Sequence, residues 1–317
     1  MNPRKAAVID MGTNTFHLLL VELHEHSFKT IYKEKIAVRL GQGGISQKII
    51  VADALKRAYH TLEHFSNLIK GEGIRDTFAF ATSAVRNAEN GAELVASIKK
   101  RFDINVNVID GIEEAHMIYE GIRFSGSLDD NTSLMMDIGG GSVEFIIGNK
   151  TDAFWKQSFE IGGQRMLDLF HYHDPILPEE AEKLDVYLEE KLLDLIQAIN
   201  KFNPTQLVGA SGTFDTLSDI YFSELMLKKS KSQKVFHLPT FEFEKIAKKL
   251  TTLDKKARLE IPGMIPMRVD MIVVASLLIR HILKYVPAIE LVCSNYALKE
   301  GAIAQLIKKN QVVNSLD

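Results

Sequence analysis

Two short stretches of the chain carry the residue types that phosphate chemistry requires. Residues 8–21 read VIDMGTNTFHLLLV and residues 136–148 read MDIGGGSVEFIIG, so Asp10 aligns with Asp137 and Gly12 with Gly139 at an offset of 127. In each, an Asp precedes a turn built of Gly, Thr, Asn or Ser. Small residues let backbone N–H groups approach an anion, and the carboxylate offers an oxygen ligand to a divalent cation. The candidate phosphate contacts are therefore Thr13, Asn14 and Thr15 in the first turn, with Gly139, Gly140, Gly141 and Ser142 in the second. One such bend alone would also fit a plain hairpin that needs glycine.

A second pair follows the first in the same order. TFAFATSAVR (77–86) and QLVGASGT (206–213) are each a short apolar strand ending in a hydroxyl-rich turn that opens a helix. Thr82 lies 72 residues after Asp10, and Ser211 lies 74 after Asp137. Ser211, Gly212 and Thr213 join the candidate phosphate contacts. Arg86, just inside the helix after Thr82, reads equally as a bidentate anion clamp or as a solvated surface arginine. Arg39 in RLGQG carries the same ambiguity.

Carboxylates recur at Asp110-Gly-Ile-Glu113-Glu114-Ala115, where a strand gives way to a helix. Acidic residues in a first turn suit the helix dipole and by themselves ask for no other role. At about 100° per residue, with Ala115, Ile118, Tyr119 and Ile122 as the apolar stripe, Glu113 falls opposite the core and Glu114 on its flank. A flank carboxylate near bound phosphate is what activating a water requires.

The matched order and spacing predict a tandem duplication. Each copy runs hairpin, helix, strand, helix, which gives an α/β pattern of mixed sheets covered by helices, in two halves facing each other across a cleft. Leu55, Ala58, Leu62, Phe65 and Ile69 mark one packing helix ending at Gly71; Leu184, Leu188, Leu192, Leu195 and Ile199 mark another before Asn203-Pro204. The polar SGSLDDN stretch at 125–131 reads as a boundary. A strand over 289–293 and a helix over 297–309 return the chain to its first half. The expected domains are 1–124 with about 297–317, and 125–296.

These residues carry a resemblance. Asp10 to His17, RLGQG at 39–43, Ala81 to Arg86, Glu113-Glu114-Ala115, Asp137 to Glu144 and Ala210 to Thr213 together resemble the exopolyphosphatase and guanosine pentaphosphate phosphatase (Ppx/GppA) family, in order over nearly the whole chain. The resemblance implies a duplicated ribonuclease-H-like fold, shared with actin-like ATPases, sugar kinases and hsp70 chaperones. It implies release of a terminal phosphate from polyphosphate or guanosine pentaphosphate with Mg2+, Glu114 as general base, and Asp137 and Glu144 at the metal. Against longer members, which continue into a helical region, the chain resembles a short two-domain form. Val143 replaces a customary Thr, an expected loss of one phosphate-side hydroxyl; Asn295, Tyr296 and Lys299 depart from the family's S-D-G-A-L-R-E-G. Gly263, Pro266, Arg268 and Asp270 match a further family segment whose role the sequence does not reveal.

Composition narrows the setting. With 317 residues, 46% hydrophobic and 25% charged, the chain has material for two ordinary globular cores. A formal charge of −3 argues against coating duplex nucleic acid, so a polyanion must be held locally. The single Cys293 forms no internal disulfide, which fits a reducing compartment. The longest apolar run, Met271 to Ile279, is nine residues against the roughly 20 that cross a bilayer. With no leader visible, a cytoplasmic protein away from membranes is expected, and a homodimer is left open. His24, His26, His60, His64, His171 and His173 lack the partners of a metal motif. The run Lys228, Lys229, Lys231, Lys234 reads first as a solvated loop. Two other functions remain to be weighed: a small-acceptor kinase of the same fold, and a silent sensor of guanosine polyphosphates.

Overall fold

The computed structural model describes residues 4–230 and 232–314, and the chain divides into two compact units. The first comprises residues up to Gly121 together with those from Leu298 onward; the second is Ile122–Ala297.

In the first unit, β1 (Arg4–Met11), β2 (Thr15–Leu23) and β3 (Phe28–Ala37) form an antiparallel meander, followed by α1 (Ala52–Gly71), β4 (Asp76–Ala81), α2 (Ser83–Arg86), α3 (Gly91–Phe102), β5 (Val106–Val108) and α4 (Gly111–Ser125). The sheet order is β3-β2-β1-β4-β5. β1 is central and buries Ala6, Ala7, Val8 and Ile9 completely, which is why its sequence is a continuous apolar run. Ala54, Ala58, Leu62, Phe65 and Ile69 of α1 pack on this sheet at helical spacing.

The second unit repeats the plan with β6 (Ser133–Ile138), β7 (Val143–Gly148), β8 (Ala153–Phe159), α5 (Gly163–Phe170), α6 (Pro178–Lys191), α7 (Leu193–Phe202), β9 (Gln206–Ala210), α8 (Ser211–Glu224), β10 (Val235–Pro239), α9 (Thr240–Thr252), α10 (Lys255–Leu259), α11 (Met271–Leu283) and β11 (Glu290–Ser294); α12 (Leu298–Asn314) then returns to the first unit. Its sheet reads β10-β11-β9-β6-β7-β8. Taken from β8, this is the same order as the first sheet with one added antiparallel edge, β10, so the fold is the duplicated actin-like, ribonuclease-H-like one. Each unit encloses its own hydrophobic core.

Three features differ from the sequence expectation. Each hairpin gains a third strand, β3 and β8, whose half-exposed residues carry little apolar signal. The stripe from Leu184 to Ile199 spans two helices that break at Leu192, because the apolar positions keep helical phase across the break. Val143 is fully buried in the core of the second unit, so a residue at this position faces the hydrophobic layer and the expected loss of a phosphate-side hydroxyl does not apply. Among the described residues no helix is long and apolar enough to cross a membrane.

Candidate functional site

The chemistry-bearing residues collect at the carboxyl ends of parallel strands, where open α/β sheets bind ligands. β1 and β4 run parallel with Met11 beside Ala81, which sets Thr82 next to the first turn; its N–H donates to Met11 O at 3.4 Å. β6 and β9 run parallel with Asp137 beside Ala210, which sets Ser211 next to the second. Register thus joins residues more than 70 positions apart.

In the first unit, Thr13 is buried and Asn14 half-buried. The RLGQG segment folds over them: Arg39 N–H donates to Asn14 O at 2.8 Å and Gly41 N–H to Thr13 O at 3.0 Å. The Arg39 side chain is exposed. Asp110 caps α4, its Oδ1 accepting from the N–H groups of Ile112 and Glu113 at 2.8 Å each. Glu113 faces solvent, whereas Glu114 is only 6% exposed. Arg86 Nη1 donates to Glu114 Oε2 at 2.8 Å and to Ile109 O at 3.0 Å, so Arg86 is a half-buried partner of Glu114 and the solvated reading falls.

The second unit places Asp137 directly opposite Glu144 in the antiparallel pairing of β6 and β7. Opposed residues share a face, their Cβ atoms about 4.5–5.5 Å apart. Both are buried. Ser211 Oγ donates to Asp137 Oδ2 at 3.0 Å and Ser158 Oγ to Glu144 Oε1 at 2.7 Å. Ser211 itself has φ +70°, a left-handed conformation that costs a non-glycine residue energy and gathers at functional sites. Ser142 and Thr213 are buried beside these turns. In the first hairpin the residue opposite Asp10 is His17, so the paired carboxylates distinguish the second unit.

Two buried carboxylates side by side disfavour each other's charge unless a cation stands near. Their donor set fits a hard divalent ion. Among the described residues no group of three or more His, Cys, Asp or Glu could hold a metal, so an ion here would take two carboxylates and complete its shell with water and phosphate oxygens, as magnesium commonly does.

The Gly139–Gly141 turn is held from behind by α5. Gly163 N–H donates to Gly139 O at 2.8 Å, Gln164 N–H to Gly140 O at 2.8 Å and Gly162 N–H to Gly141 O at 3.1 Å. A Cβ on Gly162 would lie 2.4 Å from the carbonyl carbons of Gly140 and Gly141, which is why glycine stands there. Arg165 Nε adds a bond to Gly141 O at 2.9 Å.

Arg268 is the site residue whose role the sequence left open. It is buried, with Nε lacking any partner, and a Cβ on Gly212 would lie 2.1 Å from its Nη2, so its guanidinium lies against the Ser211–Thr213 turn. Burial lowers its pKa, while the carboxylates of Asp215 and Asp137 act to raise it. Its R-x-D spacing after a Pro-Gly turn was the available signal; its place beside Asp137 was not readable. Asp270 in that segment pairs with Lys255 at 2.7 Å.

Other residues singled out in the sequence make contacts within the fold. Lys229 turns inward onto Asp219 at 2.6 Å and over the Phe236 ring at 4.4 Å, and Lys234 lies over Tyr296 at 5.0 Å, so the basic run is not simply a solvated loop; Lys231 lies outside the described residues. Tyr296 stacks on Phe124, Asn295 N–H donates to Lys234 O at 2.9 Å, and Lys299 pairs with Glu300 at 3.2 Å. His64 bonds Glu34 and His173 bonds Glu180, each at 2.8 Å.

Residues 19–310 match the model of the Ppx/GppA phosphatase family. The chain is similar to a crystallised exopolyphosphatase from Cytophaga hutchinsonii, at 44% identity over 96% of this chain and 98% of that one with a TM-score of 0.94. It is 26% identical to a protein of Haemophilus influenzae named as an exopolyphosphatase, over 99% of this chain and 94% of that protein. It is also 30% identical to a bifunctional 3-dehydroquinate synthase/phosphatase of Fusobacterium nucleatum, matching 88% of this chain but only 43% of that longer protein.

Proposed function

The chain belongs to the Ppx/GppA phosphatase family, and from that premise we propose that it is a phosphoanhydride hydrolase releasing terminal phosphate from inorganic polyphosphate, guanosine pentaphosphate or both. The observation that carries this reading is the buried pair Asp137 and Glu144, opposed on one face of a hairpin and flanked by two small-residue turns. Paired oxygen donors beside an anion-binding turn suit an ion-assisted phosphoryl transfer, where positioning and charge neutralisation supply most of the rate.

Asp137 and Glu144 would hold Mg2+, which when bound offsets the charge of the transferred phosphoryl group. Because α5 occupies the carbonyls of Gly139–Gly141, that turn meets an anion with its N–H edge. Ser142, Ser211, Gly212 and Thr213 add hydroxyl and backbone donors, with Arg268 as the buried cation behind them. In the first unit, Thr13 and Asn14 offer the corresponding donors. Glu114 takes the proton of the attacking water, and Arg86 orients its carboxylate through the 2.8 Å bond.

A phosphate sensor would need the turns but not a buried, oriented carboxylate such as Glu114, and a kinase would need an acceptor. We infer a cytoplasmic setting from the single reduced thiol and the nature of the substrates. The test is phosphate release by the purified protein from polyphosphate and from guanosine pentaphosphate, with and without magnesium. Magnesium-dependent release from either supports the reading. ATP consumption only in the presence of a small acceptor would replace it with the kinase.

A further inference from the structure

Arg258 is the bulkiest side chain wholly withdrawn from solvent among the described residues. It stands on α10, a five-residue helix remote in sequence from every turn of the candidate site. Burying a guanidinium is costly, and an apolar side chain of similar volume usually serves stability as well or better. What arginine adds is direction, through donors fixed in one plane. Here those donors tie three segments: Nη1 donates to Asp174 Oδ1 and to Leu253 O, both at 2.6 Å, and Nε donates to Val269 O at 3.0 Å.

The three segments lead back to the site in both directions. Val269 follows Arg268, whose guanidinium lies against Gly212, and Ser211 next to it bonds Asp137. Asp174 follows α5 by four residues, and α5 begins by holding the carbonyls of Gly139, Gly140 and Gly141. Asp137 opens that same turn. Contacts and short stretches of chain together close a ring: Gly turn, α5, Asp174, Arg258, Val269, Arg268, Ser211 turn, Asp137. Asp174 is further fixed by Lys255 N–H at 2.6 Å, and Lys255 Nζ reaches Asp270 at 2.7 Å. Burial opposes ionisation of Asp174, but Arg258 and the Lys255 amide outweigh it and hold its carboxyl below the usual range.

We propose that Arg258 is a positioning residue that closes this ring and, through Val269, sets Arg268 against the Ser211–Thr213 turn at the spacing phosphate binding needs. The proposal rests on the hydrolase reading of the same turns. It assigns Arg258 no contact with substrate; its effect passes through Arg268.

A double-mutant cycle tests that path. Arg258→Lys, Arg258→Met, Asp174→Asn, Arg268→Lys and the pairs with Arg268→Lys are compared for magnesium-dependent phosphate release from tripolyphosphate, with kcat and KM separated, and for thermal unfolding. Asp174→Asn keeps the packing volume and serves if Arg258→Met does not fold. Expected is a loss in kcat/KM on the order of tenfold from Asp174→Asn or Arg258→Met in the wild-type background, shrinking to under about twofold when Arg268 is already Lys, since residues sharing one network are non-additive. Arg258→Lys should recover part of the loss. The fall in Tm should be the same in both backgrounds. Equal fold-losses in both backgrounds would show that Arg258 merely stabilises the fold and would overturn the proposal. Absence of phosphate release from the wild type would instead sink the hydrolase reading. The same cycle read as tripolyphosphate dissociation constants by calorimetry then decides the ring, with additive losses rejecting it.

Discussion

Replacing Glu114 by Gln removes one charge and almost no volume, so the structure allows its consequences to be separated. As the base for the attacking water, Glu114 should account for about two to four orders of magnitude in kcat, or about 2.7–5.4 kcal/mol at 1.36 kcal/mol per decade. The stability cost is smaller. Glu114 Oε2 accepts from Arg86 at 2.8 Å, yet Arg86 remains 17% exposed, retains Ile109 O, and can still donate to the Gln amide oxygen. Breaking a wholly buried ion pair costs about 3–5 kcal/mol; because the Gln amide oxygen still accepts from Arg86, the loss here should be about 1–2. A domain starting near 5 kcal/mol and losing 2 is still more than about 99% folded, so unfolding cannot mimic a hundredfold rate loss. The assay is steady-state phosphate release with magnesium, alongside thermal unfolding and equilibrium binding of tripolyphosphate. Binding within about threefold of wild type, with kcat down by at least ~100-fold, is the expected result. Wild-type turnover in Glu114→Gln would refute the assignment. An equal loss in Glu113→Gln, whose side chain faces solvent, would move the role to its neighbour.

Asp137→Asn should raise the magnesium concentration for half-maximal activity by at least about tenfold and lower the plateau, because one of two carboxylates is lost; an unchanged magnesium titration removes Asp137 from the metal shell. Gly212→Ala drives a Cβ to 2.1 Å from Arg268 Nη2, displacing the guanidinium from the turn, so kcat/KM should fall by about tenfold or more with only a modest drop in Tm. Wild-type kinetics in that variant would show that Arg268 does not act on the turn. Cys293 is fully buried and its thiol is pushed up to about 12, burial being the main cause; the folded protein should therefore resist Ellman's reagent at pH 8 and react stoichiometrically only in denaturant. Rapid labelling of the native protein would contradict the buried placement.

The Asp-and-turn pairs were legible because their chemistry is local. A bend of glycine and small hydroxyl residues after an apolar strand writes the same short pattern wherever it occurs, and duplication repeated it at one offset. That offset carries further than the turn itself: Asp10 faces His17 and Asp137 faces Glu144, both seven residues on. Helical phase placed Glu114 and Glu113 on different faces of α4 for the same reason, since periodicity is a property of consecutive residues.

Other parts depended on contacts that no window of sequence contains. Arg86 reads as surface or clamp until β4, β5 and α4 bring it within 2.8 Å of Glu114. Val143 reads as a lost hydroxyl until the β6–β7 register turns it into the core and leaves Glu144 on the opposite face, because neighbouring strand residues point to opposite sides. Arg268 and Arg258 lie more than 40 residues from the turns they support, and a charged side chain in sequence looks solvated by default. Only packing shows that these two are buried, Arg258 among the fixed acceptors of Asp174, Leu253 and Val269 and Arg268 beside the carboxylates of Asp215 and Asp137. The sequence determined which local devices the chain possesses; the tertiary structure decided which of them share partners, because strand register and helix packing set distances between residues that the chain itself keeps far apart.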